Sequence, residues 1–349
     1  MPGSLRGVTR PSPAARRRLD LLAIGIALMD HLAFAGHEAL SALGLRHGTT
    51  TLVDVATTER IAQALAPVRQ VSGGSEANVA VGVASLGGRP AFVGAVADDP
   101  LGKAYAADLE AAGVRALLQV HPAGADPEAA TGRCHVIVTP DAERTMATAL
   151  GAAARLDRGA CPPGLVGTAG CVFLDAYVLD LRDGGVLVER VLEEAAVAGT
   201  TVAFGLADPL AVERHRAAVE ALVAGPVEVL FANEAEALAL TGAPSLEAAA
   251  EALRRPGLVA FLTRGASGAL VVTAARVVAV PAARAERVVD ATGAGDLFAA
   301  GALFGLARGA DPARAARLGA SCAAEVVAHL GGRPETALAQ LARRAGLSR

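Results

Sequence analysis

The chain of 349 residues has few aromatic side chains and no net positive charge, both of which nucleic-acid recognition needs. It contains no tryptophan, and only 3% of its residues are aromatic, so platforms on which bases could stack are scarce. The formal charge of −3 means that the chain has no excess of basic side chains with which to bind a phosphate backbone. We therefore expect no nucleic-acid partner.

Lysine is also nearly absent, since Lys103 is the only one in the chain. A Walker loop needs Gly-x-x-x-x-Gly-Lys, and the one candidate, which ends at Gly102 and Lys103, has Ala97 where the first glycine belongs. Schiff-base chemistry is equally poorly supplied. A nucleotide that binds to this chain must therefore use something other than a P-loop lysine.

Cysteines and long apolar runs are few. The four cysteines form no Cys-x-x-Cys pair, which predicts neither a zinc knuckle nor a disulfide framework and fits a reducing cytoplasm. No apolar run reaches membrane-spanning length, so we expect no membrane association. Residues 1–18 carry prolines and three consecutive arginines but no apolar signal core, which predicts a disordered N-terminal extension.

The hydrophobic content of 53% is enough for a large core. From residue 171 onward, short apolar runs alternate with helical patterns, and this rhythm predicts an α/β domain with a mostly parallel sheet covered by helices on both faces. The predicted strands are 171–174, 201–205, 227–232 and 258–263, and the predicted helices are 185–198, 210–223 and 235–240.

A small separate sheet is predicted from two other segments. The pattern of residues 134–138 and 144–148 predicts a hairpin around the turn Thr139-Pro140-Asp141. Residues 49–53 are predicted to form a strand that could join this hairpin. We expect lid segments at about 31–55 and 114–150. The apolar run 21–28 is predicted as a buried parallel strand that delivers Asp30 at its carboxyl end, where ligands bind in such sheets.

The stretch 290–296 combines an anion cradle with a carboxylate. It follows a short β-type run at 286–289 and precedes the helical pattern 297–306, so it is a strand-to-helix turn. Gly293 and Gly295 let the backbone turn tightly, and the N–H groups of residues 293–296 could then point at one anion. Asp296 beside that anion could accept a proton from an attacking hydroxyl. The alternative is an ordinary helix cap with turn glycines.

Three further motifs admit both a structural and a functional explanation. Gly73 and Gly74 precede a helical pattern that contains Asn78, which predicts either a loop with a cap or a cradle for hydroxyl groups. Asn233 and Glu236 have the spacing of a capping box, yet the same pair at the end of a strand could hold water on a magnesium ion. The glycine turn 263–268 is either a hairpin or a nucleotide contact.

Taken together, these motifs resemble, in order and spacing, the ribokinase-like (PfkB) carbohydrate and nucleoside kinases, and most of all their bacterial adenosine kinase-type members. The resemblance covers residues 19–349. It implies a three-layer ribokinase-like sandwich, with a mostly parallel central sheet between two helix layers and a small β lid. It also implies ATP and Mg²⁺ as cofactors, with K⁺ as an activating ion, a small-molecule acceptor, and a monomer or homodimer.

The resemblance assigns a role to each motif. Asp296 would be the base, and Gly293, Ala294 and Gly295 the anion hole. The implied substrate contacts are Asp30, Gly73, Gly74, Asn78 and Asp175. The implied nucleotide contacts are Asn233, Thr263, Arg264, Gly265 and Gly268. Glu236 would hold Mg²⁺ through water, and Asp290 and Thr292 would bind the monovalent cation.

The expected reaction is transfer of the γ-phosphoryl group of ATP to a primary hydroxyl of a ribonucleoside, most of all the 5′ hydroxyl of adenosine. The purine would need an apolar slot, for which Leu28, Leu32, Phe34, Val136 and Val138 are candidates. Two alternatives stay open: a kinase of a free sugar such as ribose or a fructose derivative, and a ligand-binding homologue that has lost transfer. The chain departs from the family pattern at three positions, Ala27, Glu76 and Ala291.

Overall fold

The computed structural model describes residues 18–124, 127–141 and 143–347. The extension predicted for residues 1–18 lies outside this range, except for Arg18. The strands are β1 (Leu19–Ile24), β2 (Leu28–Phe34), β3 (Thr50–Leu52), β4 (Arg69–Gly73), β5 (Pro90–Ala97), β6 (Arg115–His121), β7 (Arg133–Val138), β8 (Arg144–Ala149), β9 (Ala169–Asp175), β10 (Thr201–Gly205), β11 (Val229–Asn233), β12 (Val259–Thr263), β13 (Ala269–Val272) and β14 (Val277–Val280).

Helices connect most of these strands. They are α1 (His37–Ala42), α2 (Val55–Ala64), α3 (Ser75–Ser85), α4 (Pro100–Ala111), α5 (Gly184–Ala198), α6 (Pro209–Arg214), α7 (Arg216–Ala224), α8 (Glu234–Thr241), α9 (Leu246–Ala252), α10 (Ala294–Ala307), α11 (Pro312–Val326) and α12 (Ala339–Arg344). Within the described ranges, no helix is long and apolar enough to cross a membrane.

The central sheet has the order β14-β13-β12-β11-β10-β9-β1-β5-β6. The neighbouring strands β6, β5, β1, β9, β10, β11 and β12 are parallel to one another, and β13 and β14 add an antiparallel edge. Successive side chains of β1 point to opposite faces of the sheet, which explains why helices cover both faces. Leu22 and Ile24 pack into one apolar cluster with α5 to α9. Leu21 and Ala23 pack into another cluster with α3, α4 and α10 to α12. The predicted three-layer α/β fold is confirmed.

A second sheet has the order β3-β8-β7-β2-β4. The predicted hairpin is present as β7 and β8, and β3 pairs with β8 as expected. One face of the sheet packs under α1 and α2 around Leu40, Ile61 and Ile137. Leu32 and Val136 belong to a separate apolar cluster of this sheet. Helices α1 and α2 were not predicted, because each buries only one or two apolar residues, Leu40 in α1 and Val55 and Ile61 in α2.

Several sequence predictions need correction. The first strand ends at Ile24, and Asp30 lies inside β2 of the second sheet instead of at the carboxyl end of a central strand. The predicted lid segment 114–150 begins too early, because β6 pairs in parallel with β5 at the edge of the central sheet. The loop predicted around Gly73 and Gly74 is reduced, because residues 69–73 form strand β4. Residues 286–289 form no strand, and Val289 N–H donates to Val327 O after α11.

Candidate active site

Helix α10 begins at a sharp turn that contains Gly293 and Gly295, and these two glycines differ in the space available for a side chain. Gly293 has a φ of +73°, and a Cβ there would lie 2.5 Å from Cα of Gly332. A Cβ on Gly295 would meet no heavy atom within 4 Å. The N–H of Ala294 donates to Ala291 O at 3.2 Å, whereas the next N–H groups of the first turn lack intrahelical partners. Free donors and open space therefore lie side by side at the helix start.

Asp290 holds this turn from behind. It is fully buried; its Oδ1 accepts the N–H and hydroxyl of Thr292 at 2.8 and 2.6 Å, and its Oδ2 accepts the N–H of Gly331 at 2.8 Å. All three donors are neutral groups. The carboxylate therefore ties the start of α10 to the segment that follows α11.

Asp296, the third residue of α10, is aimed by two side chains from the start of α3. Ser75 Oγ donates to Oδ1 at 2.7 Å, and Asn78 Nδ2 donates to Oδ2 at 2.8 Å. Burial raises the pKa of Asp296, although these two hydrogen bonds and the charges of Arg144 and Arg333 counteract the rise. The carboxylate is thus oriented and more basic than an exposed aspartate.

Asp30 enters the same cavity from β2. Burial raises its pKa to about 7, with Arg333 acting in the opposite direction. Gly73 must be a glycine, because a Cβ there would lie 2.2 Å from the Asp30 carboxylate. Arg333 is buried and donates through Nε to Ser72 O and through Nη2 to Ser72 Oγ, both at 2.8 Å. Arg333 therefore fixes the end of β4 and supplies positive charge behind Asp30.

A buried carboxyl pair lies beside this group. Glu76 and Asp175 are each 1% exposed, and a Cβ on Gly25 would lie 1.9 Å from Glu76 Cδ. Asp175 Oδ1 accepts the N–H of Tyr177 at 2.9 Å, whereas Glu76 Oε1 and Asp175 Oδ2 have no hydrogen-bond partner. Burial raises the pKa of both carboxyls, and their mutual interaction raises the pKa of Glu76 further and lowers that of Asp175. We interpret them as sharing a proton.

We expect Glu76→Gln to make the ligand-free protein less sensitive to rising pH. Because both folded-state pKa values lie above the unfolded values, the folded state keeps protons that the unfolded state releases, and wild-type stability falls as pH rises. An amide donates to Asp175 without carrying charge, so between pH 5 and pH 8 the variant should lose about 1–3 kcal/mol less stability. Denaturant unfolding at the two pH values measures this difference.

The control for this prediction is Glu234→Gln, which removes an exposed acid at the start of α8. It should leave the pH dependence of unfolding close to that of the wild type. Identical pH dependence in Glu76→Gln and the wild type would contradict a shared proton between Glu76 and Asp175.

Asn233 and Glu236 form the capping box of α8. Asn233 Oδ1 accepts the Glu236 N–H at 2.9 Å, and the two Glu236 oxygens accept the N–H and Nδ2 of Asn233 at 2.9 and 2.6 Å. The structural explanation of their spacing therefore holds. Glu236 also lines the cavity, and burial raises its pKa to about 7. Because both oxygens are engaged, this side chain fits a magnesium ion held through water better than one bound directly.

Only part of the predicted nucleotide loop lies in the cavity wall. Thr263 lies at the end of β12 and lines the cavity. The following residues form the hairpin turn to β13, in which Arg264 N–H donates to Gly268 O at 2.7 Å. Arg264, Gly265 and Gly268 are not in the cavity wall, so their contact with a nucleotide stays a prediction.

The cavity itself has a volume of about 450 Å³, within the usual range for small-molecule sites. It brings together most of the predicted residues, while Gly73 and Asp290 support it from behind. The predicted residues that line it are Asp30, Gly74, Asn78, Asp175, Asn233, Glu236, Thr263, Thr292, Gly293, Ala294, Gly295 and Asp296.

The predicted purine slot is only partly present. Leu28 and Val136 line the cavity, together with apolar residues that we did not predict, such as Phe173 and Phe231. Phe34 and Val138 instead border a separate gap at the other end of the second sheet.

The three departures from the family pattern have different surroundings. Ala27 is fully buried in the core and does not line the cavity. Ala291 is exposed in the cavity wall. Glu76 supplies half of the buried carboxyl pair.

Sequence reasoning missed several polar residues of the site. Ser75 orients Asp296, Arg333 holds β4, and Arg144 of β8 reaches the cavity wall with its charge near Asp296. Asp208 caps α6 and lines the cavity. The pair Asp208-Pro209 is a sequence pattern typical of a helix start and could have indicated Asp208. No local pattern distinguishes Arg144 and Arg333 from the many other arginines of the chain.

Comparison with known proteins identifies the family. Residues 49–337 match the model of the pfkB family of carbohydrate kinases. The chain belongs to this family. The predicted family is therefore confirmed, and its enzyme class, a phosphotransferase with an alcohol acceptor, is supported by the same match.

Solved structures agree with this assignment. Adenosine kinase from Sinorhizobium meliloti is 35% identical, with a TM-score of 0.88, over 94% of this chain and 99% of that one. A probable sugar kinase from Rhizobium etli CFN 42 is 33% identical, also with a TM-score of 0.88, over 95% of this chain and 99% of that one.

The names of the curated relatives include two different nucleosides. Adenosine kinase from Saccharomyces cerevisiae is 26% identical over 83% of this chain and 89% of its own length. Two other matches are partial. A cytidine kinase from Thermococcus kodakarensis is 41% identical over 29% of this chain, and the bifunctional protein HldE from Caulobacter sp. is 32% identical over 74%. The chain spans 37% and 52% of their respective lengths.

Proposed function

We propose that the protein transfers the γ-phosphoryl group of ATP to a primary hydroxyl of a ribonucleoside, and that the acceptor is adenosine phosphorylated on its 5′ hydroxyl. The observation that carries this proposal is Asp296, held by Ser75 and Asn78 beside the open face of Gly295. A basic carboxylate next to free backbone donors is suited to remove a proton from the acceptor while the transferring group stays bound.

In this proposal each group acts by position and charge, because phosphoryl transfer needs little covalent help from the protein. Asp296 takes the proton of the attacking hydroxyl. The N–H groups at the start of α10 bind the transferring oxygens. Arg144 approaches from the second sheet with positive charge, and we infer that this sheet serves as the lid that excludes water.

The remaining groups bind substrates and ions. Glu236, with Asn233 behind it, would hold Mg²⁺ through water, and the ion would neutralise phosphate charge. Asn233 and Thr263 line the end of the cavity where we expect the nucleotide. Asp290 and Thr292 remain our proposed monovalent-cation site, because the hydrogen-bond donors to the buried Asp290 are all neutral and leave its charge to be balanced.

The choice of adenosine rests on two features of the cavity. Asp30, supported by Gly73, offers a buried carboxylate that can accept two hydrogen bonds from a ribose diol. Leu28, Val136 and Phe173 provide apolar wall that a purine would cover and a free sugar would leave bare. The similarity to an adenosine kinase along almost the whole chain agrees with this choice.

We expect kcat/KM, with saturating MgATP, to be highest for adenosine and lower by at least about 10²-fold for 2′-deoxyadenosine. The analogue without the hydroxyl leaves the Asp30 carboxylate without its partner, and sites built around such a hydrogen bond discriminate by this order or more. ADP release measured for adenosine, cytidine, 2′-deoxyadenosine, ribose and fructose tests the prediction.

A free-sugar kinase is the second candidate, since the Rhizobium etli relative is described as a probable sugar kinase. Faster turnover of ribose or fructose than of adenosine would replace the nucleoside proposal with this one and leave the kinase assignment intact. Equal kcat/KM for adenosine and 2′-deoxyadenosine would remove Asp30 from recognition of the diol. ADP release with none of these acceptors would favour a ligand-binding homologue.

The same proposal gives the protein a place in purine salvage, because the product would be a nucleoside monophosphate. A cytoplasmic location agrees with its cysteines. Cys134, Cys161, Cys171 and Cys322 are all free and buried, which suits a reducing compartment.

A further inference from the structure

Two histidines and one aspartate meet at the edge of the second sheet, and none of the three lines the cavity. His37 is the first residue of α1, His47 lies in the turn between α1 and β3, and Asp141 lies in the hairpin between β7 and β8. Their side chains are 57%, 38% and 45% exposed, so solvent and ions reach them.

The three side chains point their ligand atoms at one spot. His47 Nε2 lies 3.2 Å and His37 Nε2 3.9 Å from the same atom, Asp141 Oδ2, and all three ligand atoms lie within 4.8 Å of one another. Ligands around a tetrahedral zinc ion at bond lengths of about 2.0–2.1 Å lie about 3.4 Å apart. Small side-chain rotations therefore suffice to enclose an ion.

Neighbouring groups hold the aspartate in this orientation. Thr139 Oγ donates to Asp141 Oδ1 at 2.5 Å, which leaves Oδ2 for the two imidazoles. The hairpin is closed by the N–H of Thr139, which donates to Glu143 O at 3.0 Å. Hydrogen bonds of this kind orient the ligands in known metal sites.

The pair His215 and Asp180 offers a contrast within the same molecule. His215 Nε2 lies 2.6 Å from Asp180 Oδ1, but Arg214 binds Oδ2 of the same carboxylate, also at 2.6 Å. The guanidinium of Arg214 therefore already supplies the positive charge that balances the Asp180 carboxylate. At Asp141, the nitrogen partners found among the described residues are the imidazoles of His37 and His47, and an imidazole is a common metal ligand.

We propose that His37, His47 and Asp141 bind a first-row divalent metal ion, with Zn²⁺ as the expected species. Two imidazoles and a carboxylate suit such ions, and Mg²⁺ prefers ligands that are all oxygen. The ion would join the start of α1, the following turn and the β7–β8 hairpin. Val138 and Pro140 of that hairpin face Val289 across a gap of about 390 Å³, so the ion would stiffen the second sheet where it faces the segment before Asp290.

Zinc titration of the tag-free protein tests this site. The titration is done in millimolar Mg²⁺, which occupies oxygen-rich sites, and calorimetry follows binding. We expect one equivalent of Zn²⁺ to bind, and Co²⁺ in its place to give the intense visible absorption of a low-coordinate complex with nitrogen ligands. His47→Ala and Asp141→Asn should each weaken Zn²⁺ binding at least about 10-fold.

The matched control is His215→Ala, which removes a histidine from the other His–Asp pair and should leave Zn²⁺ affinity unchanged. Circular dichroism and metal-free unfolding confirm that each variant is folded. Absence of a stoichiometric Zn²⁺ site in the wild type would overturn the proposal. Full affinity in folded His47→Ala and Asp141→Asn would also overturn it, and so would loss of the site in His215→Ala.

Discussion

Asp296→Asn is expected to lower kcat by at least about 10²-fold while the protein stays folded. The amide cannot accept the proton of the acceptor hydroxyl. The fold should tolerate the change, because the side chain keeps an oxygen that accepts from Ser75 or Asn78, and a charge that burial disfavours is removed. Steady-state ADP release with adenosine and MgATP measures the effect, and thermal unfolding checks the fold.

Asp311→Asn is the matched control for this variant. Asp311 is an exposed acid that caps α11, the next helix, and its Oδ1 accepts the N–H groups of Ala313 and Arg314. Asparagine caps a helix as well as aspartate does, so both turnover and stability should stay near wild type. Wild-type kcat in folded Asp296→Asn would exclude Asp296 as the base and leave it the structural role of joining α10 to α3 through Ser75 and Asn78.

The parts of the site that could be predicted from the sequence are those with a local signal. The turn at 290–296, the helix after it and the pair Asn233 and Glu236 depend on residues a few positions apart, and the structure has them where they were expected. Glycine, aspartate and asparagine at strand-to-helix junctions restrict the backbone directly.

The parts that were missed depend on contacts across the chain. Ser75 and Asp296 are 221 residues apart in sequence, and Arg333 and Ser72 are 261 apart. No periodicity links such pairs. Asp30 was misplaced for a related reason. The apolar run 21–28 is interrupted by Gly25, which looks like a permissive position within a strand but is where the chain leaves the central sheet to make room for Glu76.

Gly295→Ala is expected to lower kcat/KM about 10²-fold and to leave stability unchanged or raise it. A Cβ on Gly295 meets no atom of the protein, and alanine favours a helix over glycine by up to about 1 kcal/mol. The new methyl group would instead occupy the open space beside Asp296, where the transferring group must lie, and a displacement of about 1 Å costs this much in rate. Steady-state kinetics and denaturant unfolding on the same preparation measure both effects.

Gly293→Ala should behave in the opposite way, and the two variants are therefore best measured together. At Gly293 a Cβ would lie 2.5 Å from the backbone of Gly332, and the φ of +73° is unfavourable for alanine. We expect a loss of stability of at least about 1–3 kcal/mol. If Gly295→Ala kept full activity, the space beside Asp296 would not be where phosphoryl transfer occurs. If it lost activity only in proportion to a loss of folded protein, its role would be structural, as we expect for Gly293.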